Sequence, residues 1–211
     1  PYTEANKISD GTLKAKYDSQ ETIYTGILSN LKTIADEMAA GMGTDELGGG
    51  DFLYEGKIAN WRKLCNSLRL WAAMRIVNVA PELSRTTIEE VCGNPSSYPI
   101  LDKSEDNAYF YWQGSSPYFE PWYDNSRTRD DHGMSNIFVS HMKNMNDPRI
   151  SVIMKPAATD GEYRGYENGA LSAPSNIRTI SRMGAMYREE EAGFTPFMKS
   201  CENYFIIAEA A

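Results

Sequence analysis

The stretch DFLYEGKIANWRKLCNSLRLWAAMRIVNVAP, Asp51 to Pro81, is the longest run of helical period in the chain. Ile58, Trp61, Cys65, Leu68, Ala72, Ile76 and Val79 recur every three or four residues and share one helix face. Leu64 and Trp71 widen that face, while Lys57, Arg62, Lys63, Arg69 and Arg75 point mostly elsewhere. The spacing predicts a central core helix with Trp61, Leu68 and Ile76 buried. Pro81 is expected to close it, because a proline pushes the preceding residue out of the α region.

Working outward, Tyr17–Ala40 repeats the pattern. Ile23, Ile27, Leu31, Ile34 and Met38 step at helical spacing, with Tyr24, Leu28 and Ala35 beside them. Asp18 or Ser19 supplies the cap, and Gly41 and Gly43 the stop. Gly48 to Gly50 reads as a flexible connector. Thr86–Cys92 reads as a short helix with Thr87 and Glu90 as a capping pair, broken by Gly93-Asn94-Pro95. Ser135–Met145 predicts a helix with Ile137, Phe138, Met142 and Met145 inward, ending in the Asp147-Pro148-Arg149 turn. Ile150–Met154 reads as a short strand. Ser200 is placed as the cap of a last helix.

Several of these segments, in order, resemble the SusD-like (RagB/SusD) outer-membrane lipoproteins. In the central stretch the matching positions are Asp51, Gly56, Trp61, Asn66, Ser67, Leu68 and Leu70. The family usually has a basic residue after the second leucine, where this chain has Trp71. The opening Pro1–Ala5 segment, the Asp147-Pro148-Arg149 turn and the GEYRGY segment at 161–166 also resemble the family. So does the final helix, through Glu202, Phe205, Ala208, Glu209 and Ala210. The resemblance implies a mainly α fold: tetratricopeptide-like helix pairs, a long loop-rich face and a few short strands. It implies one SusD-like domain over 1–211, read as a central piece of a longer chain. It also implies a non-catalytic, lipid-anchored protein at the outer-membrane surface. Such a protein binds oligosaccharide or polysaccharide and delivers it to a SusC-like TonB-dependent transporter, with no cofactor.

Composition narrows the partners independently. A net charge of −8 over 211 residues argues against nucleic acid, which leaves a basic footprint, and against anionic lipid. No apolar run approaches the length of a membrane span. Three cysteines, Cys65, Cys92 and Cys201, cannot all pair, and buried free thiols are expected. Asp130-Asp131-His132 is the one acid–histidine group, and it reads more readily as a solvated ion pair than as an acid/base or metal centre. Glu189 to Glu191 reads as a solvated charge run. No serine stands in a Gly-x-Ser-x-Gly frame.

Binding has better material. Asn107 to Tyr123, NAYFYWQGSSPYFEPWY, is the richest aromatic stretch, read as a short strand and then a loop rather than a helix. Aromatic rings stack on the apolar C–H faces of sugars, and amides, carboxylates and guanidinium groups bond the hydroxyls. The candidate ligand residues are Trp112, Tyr118, Phe119, Trp122, Tyr123 and Arg127, with Gln113, Asp124 and Asn125 beside them. Pro117 and Pro121 restrain the segment. The competing reading packs these rings as a small core for a long loop. A helical protein-interaction scaffold without its own glycan site is the alternative for the whole chain.

Overall fold

The computed structural model describes residues 2–41, 45–129, 131–172 and 176–211. In chain order the elements are α1 (Gln20–Ala39), α2 (Ile58–Arg75), α3 (Pro81–Gly93), β1 (Ala108–Tyr111), α4 (Pro121–Thr128), α5 (Asn136–Asn144) and α6 (Ile150–Ile153). Then follow β2 (Met154–Lys155), β3 (Arg182–Met183), α7 (Ala185–Arg188), β4 (Phe194–Met198) and α8 (Ser200–Ala210). The fold is mainly helical, as expected. β1 pairs with β4, and β2 pairs antiparallel with β3 in the register Met154↔Met183. The contacts divide into two compact units, Pro1–Tyr109 with Pro196–Ala211, and Phe110–Thr195.

In the first unit, α2 is held by a turn at its entrance. The Asp51 carboxylate accepts from the backbone N–H of Leu53 (2.9 Å), Tyr54 (3.2 Å) and Gly56 (2.8 Å), and from Trp61 Nε1 (2.6 Å). Burial pushes its pKa up, but these four donors outweigh that and hold it below the usual range. Gly56 has φ 81°, a left-handed conformation that favours glycine. The Asp–Gly–Trp spacing is thus a geometric lock. One carboxylate closes the turn and fixes the indole, against which Tyr54 packs edge-on at 5.5 Å.

Further along α2, Asn66 Nδ2 donates to Pro99 O (3.0 Å), and Ser67 Oγ accepts from Leu101 N (2.9 Å) and Asn203 Nδ2 (2.9 Å). These bonds tie the 99–101 segment and α8 to the helix. Leu28 on α1 packs with Ala72, Ala73 and Ile76, and Leu70 packs with Val91 and Ile206.

The central helix departs from its expected face. Ile76 is buried and Trp61 half-buried, but Leu68 is 37% exposed, and Trp71 and Val79 are exposed as well. Arg69, read as pointing away from that face, is 2% exposed. Its guanidinium bonds Glu90, which also takes Lys32 Nζ (2.5 Å), and it lies 4.9 Å from the Tyr98 ring centroid. Because α1, α3 and α8 all pack on α2, the buried arc is wider than one stripe and admits a paired cation. Arg75 stacks on Trp71 at 4.6 Å.

Other boundaries moved for local reasons. Helix α2 ends at Arg75, and Pro81 instead opens α3 at a position that needs no N–H donor. Thr87 lies inside α3 and donates to Leu83 O (2.8 Å), so it is no cap, and Glu90 serves the ion cluster. Lys199, not Ser200, is the cap residue of α8, its N–H bonded by Glu202 Oε1 (2.9 Å). Asp45–Gly50 is a 3-10 turn. Cys65 is buried, but Cys92 and Cys201 are exposed.

The second unit has its own core of Val139, Met142 and Met154, flanked by Met134, Ile150, Ile153 and Tyr163. Ser135 precedes α5 with its hydroxyl donated to Asn168 Oδ1 (2.6 Å) rather than to the helix end, and the buried face of α5 runs through Val139 and Met142, leaving Ile137, Phe138 and Met145 exposed. Residues 150–153, expected as strand, form one helical turn before β2.

Candidate functional site

The aromatic stretch begins in β1 and does not remain a loop. Trp112 donates its backbone N–H to Gly193 O (2.9 Å) and its indole Nε1 to Thr195 Oγ1 (2.9 Å). Its ring meets Phe110 edge-on at 4.7 Å. A tight turn follows, in which Tyr118 N donates to Ser115 O (2.6 Å) and Gly114 N to Tyr118 O (3.2 Å). Then α4 starts, against expectation. Pro121 sits in its first turn, and the buried Glu120 side chain accepts from Tyr123 N (2.8 Å). Proline at that position forfeits no helix bond, and the carboxylate satisfies a free helix-end donor. Burial pushes the Glu120 pKa up, countered in part by the N–H groups of Tyr123 and Trp122.

Phe119, just before the N-cap of α4, meets Tyr123 and Arg127, which lie four residues apart on the helix. Phe119 and Tyr123 have ring centroids 5.5 Å apart. The Arg127 guanidinium lies 4.7 Å from the Phe119 centroid and 5.9 Å from that of Tyr123, and donates to Asp124 Oδ1 (3.2 Å). Tyr123 donates its hydroxyl to Glu191 Oε1 (2.8 Å), which raises the phenol pKa. Trp122 turns away from that group. It is 42% exposed, and its ring stands perpendicular to that of His132 at 5.4 Å. Tyr118 is 55% exposed.

The six candidate residues therefore divide. Trp112, Phe119 and Tyr123 are partly covered and make internal contacts, while Tyr118, Trp122 and Arg127 face solvent. Sequence reasoning did not single out Glu120, Glu191 or His132 as neighbours of these rings. Only the capping geometry of Glu120-Pro121 carried a local signal, since an acceptor followed by proline opens helices.

The described side chains of the acid–histidine group are exposed. Asp130 lies outside the described residues. Asp131 is bonded by Arg129, which holds its carboxyl below the usual range, and His132 Nδ1 lies 3.2 Å from Asp131 Oδ1. Among the described residues no three His, Cys, Asp or Glu side chains gather in a way that would hold a metal ion.

Comparison with solved structures gives the same fold repeatedly. A chitin-binding SusD homologue from Flavobacterium johnsoniae is 30% identical, with a TM-score of 0.76 over 92% of this chain and 40% of its own. A SusD homologue from Bacteroides fragilis gives a TM-score of 0.81 at 24% identity over 100% of this chain and 47% of its own. A SusD-like protein from Bacteroides thetaiotaomicron gives 0.78 at 25% identity, over 94% of this chain and 41% of its own. The chain thus spans between two fifths and half of the length of these relatives. No curated protein matches it. The SusD-like family model described as "starch-binding associating with outer membrane" matches residues 1–211, the full length, and the chain belongs to that family.

Proposed function

We propose that this chain is part of a non-catalytic glycan-binding protein at the outer-membrane surface. In this reading it binds an oligosaccharide or polysaccharide through the Trp112–Arg127 segment and passes it to a SusC-like TonB-dependent transporter. The 211 residues form one SusD-like domain, and a lipid anchor elsewhere in the longer polypeptide holds the protein at the membrane. No described helix is long and apolar enough to cross a bilayer. The family description names starch, and one relative is described as chitin-binding. Both are neutral polysaccharides, compatible with a protein of net charge −8.

The observation that carries this reading is the exposed Trp122 ring on α4. A large ring left in water beside hydrogen-bonding groups has apolar area to offer a sugar face. The neighbouring Phe119–Tyr123–Arg127 stack is already ordered, which limits the side-chain entropy lost on binding. The test is calorimetric titration of the chain, and of Trp122→Ala and Tyr118→Ala, with maltoheptaose and with chitohexaose. Weaker binding in either variant, with unchanged melting, supports the patch. Equal binding by parent and both variants removes it.

A second reading is favoured by a separate observation. Leu68 and Trp71 on α2, and Phe205 on α8, are exposed large apolar residues. They suit a protein contact, and glycan binding and protein contact are compatible in one chain.

A further inference from the structure

The second unit carries an open groove of about 420 Å³ that none of the 112–127 residues lines. One wall is the outer face of α5, with Asn136, Ser140, Lys143 and Asn144. The other is the 163–167 segment, with Tyr163, Arg164 and Glu167. The volume falls in the range of roughly 300–1,000 Å³ usual for small-molecule sites. We propose that this groove is a sugar-ring subsite for a neutral glycan. For the class of ligand it rests on the functional reading above; its place and residues are separate.

The groove is built rather than incidental. Gly165 crosses the start of α5 so closely that an added Cβ would lie 2.3 Å from Asn136 Cα. Two backbone bonds fix the crossing, Asn136 N to Tyr166 O (2.7 Å) and Tyr166 N to Met134 O (2.6 Å). The floor there is bare backbone, and no other residue fits. Lys143 Nζ reaches across to Tyr163 O (3.4 Å). Tyr163, partly buried against the unit's apolar cluster, offers the groove part of its ring as an apolar surface, and the rim offers amide, hydroxyl and charged groups.

The charges decide the ligand class. Arg164 is already paired with Asp160 (Nη1 to Oδ1 3.0 Å). Lys143 and Glu167 then balance each other. The first amide of α5 is spent on Tyr166 O, which leaves an anion one donor fewer at that helix end. Glu167 would repel one. Among the described residues the Asn144 and Glu167 side chains make no hydrogen bond. A rim of donors and acceptors without net charge suits hydroxyl groups, which both donate and accept.

Amide-detected NMR titration of the chain with maltotriose, and separately with triacetylchitotriose, tests this. Saturable shifts at Ser140, Asn144 and Gly165 are expected with at least one sugar. The double variant Asn144→Leu, Glu167→Leu changes two exposed side chains and should weaken those shifts roughly tenfold, the scale of one or two net hydrogen bonds. Trp122→Ala should leave them in place. If the sugars move the Trp122 indole signal but not the groove amides, the groove inference fails and the α4 patch stands. It fails equally if the double variant binds like the parent. If neither region responds to either sugar, this inference and the glycan reading both fall.

Discussion

The polar groups around α2 and those around α4 are used in different ways. In the first, polar side chains are drawn inward and largely paired, although Arg69 Nε and Asn203 Oδ1 stay buried without a partner. Asp51 takes four donors, Ser67 and Asn203 tie α8 to the 99–101 segment, and Arg69 and Lys32 share Glu90. In the second, around α4, ion pairs form at the surface and two aromatic rings are left in water. Each bond made by a buried polar group restricts the backbone around it, because an unmade one is costly there. Surface groups need no such agreement and are free to serve a ligand. The residues that carry the family resemblance, Asp51, Gly56, Trp61, Asn66 and Ser67, sit on the first side of this contrast. They hold the fold together.

The largest expected effect breaks the first unit. Glu90→Ala leaves Arg69 buried without its carboxylate, and removing one partner of a buried pair costs about 3–5 kcal/mol. Denaturant unfolding should show it. A loss under about 1 kcal/mol would mean that water reaches Arg69 and that the cluster behaves as a surface pair. Asp51→Ala comes next. It strands the Trp61 N–H and three backbone donors, and about 2–3 kcal/mol is expected from the less exposed of them.

The same groups set an acid limit. Asp51, Glu90 and the buried Asp106, which accepts from Lys63 Nζ (2.6 Å) and the N–H groups of Asp102 (3.0 Å) and Lys103 (3.2 Å), all have folded pKa values below their ordinary ones. For each, burial raises the value and the bonds received outweigh it. A depressed carboxylate contributes stability that is present above its unfolded pKa and lost as pH falls through the folded value. Melting temperature should therefore be flat near neutrality and fall below about pH 4. Asp51→Asn with Glu90→Gln should start lower and fall less steeply. A parallel fall in parent and variant would assign the acid loss to other groups.

Much of the fold was legible because helical period and caps are local. Ser19 caps α1 as expected, with Thr22 N bonded to its hydroxyl (3.1 Å). What was not legible depended on several neighbours at once. Arg69 reads as a surface residue until Glu90 and Tyr98, from 21 and 29 positions on, meet it. Leu68 reads as core until three helices, closing on other sides of α2, leave it out. At the site, composition pointed to the aromatic stretch, but alternation could not separate Trp112, bonded to Thr195, from Trp122, turned to solvent. That difference comes from α4, whose start was hidden in an apparently loop-like Glu-Pro.

Those two tryptophans sharpen the comparison further. Trp112→Ala should destabilise the second unit by about 2–3 kcal/mol, somewhat under the cost of deleting a fully buried tryptophan. Trp122→Ala should leave melting nearly unchanged and weaken glycan binding by about 1–3 kcal/mol, the scale of burying one such ring. If Trp112→Ala instead weakens binding without lowering stability, the division between covered and presented rings is wrong.

The smallest expected effect lies at Tyr123, where the two uses of a side chain meet. Its ring packs against Phe119 and beneath Arg127, and its hydroxyl is bonded to Glu191. Tyr123→Phe keeps the ring and removes only that bond. The hydroxyl is exposed, where water replaces a lost partner, so an unchanged melting temperature is expected. Glycan affinity should change less than about twofold, because the hydroxyl is already engaged and the ring still supports Trp122's helix. A loss of tenfold or more in affinity at unchanged melting temperature would give a different assignment. The hydroxyl would then be a sugar contact held in place by Glu191, and the stack would belong to the binding surface rather than to the scaffold beneath it. Glu191→Gln separates these outcomes. It leaves affinity alone if the stack is scaffold, and weakens it in step with Tyr123→Phe if Glu191 positions the hydroxyl for ligand.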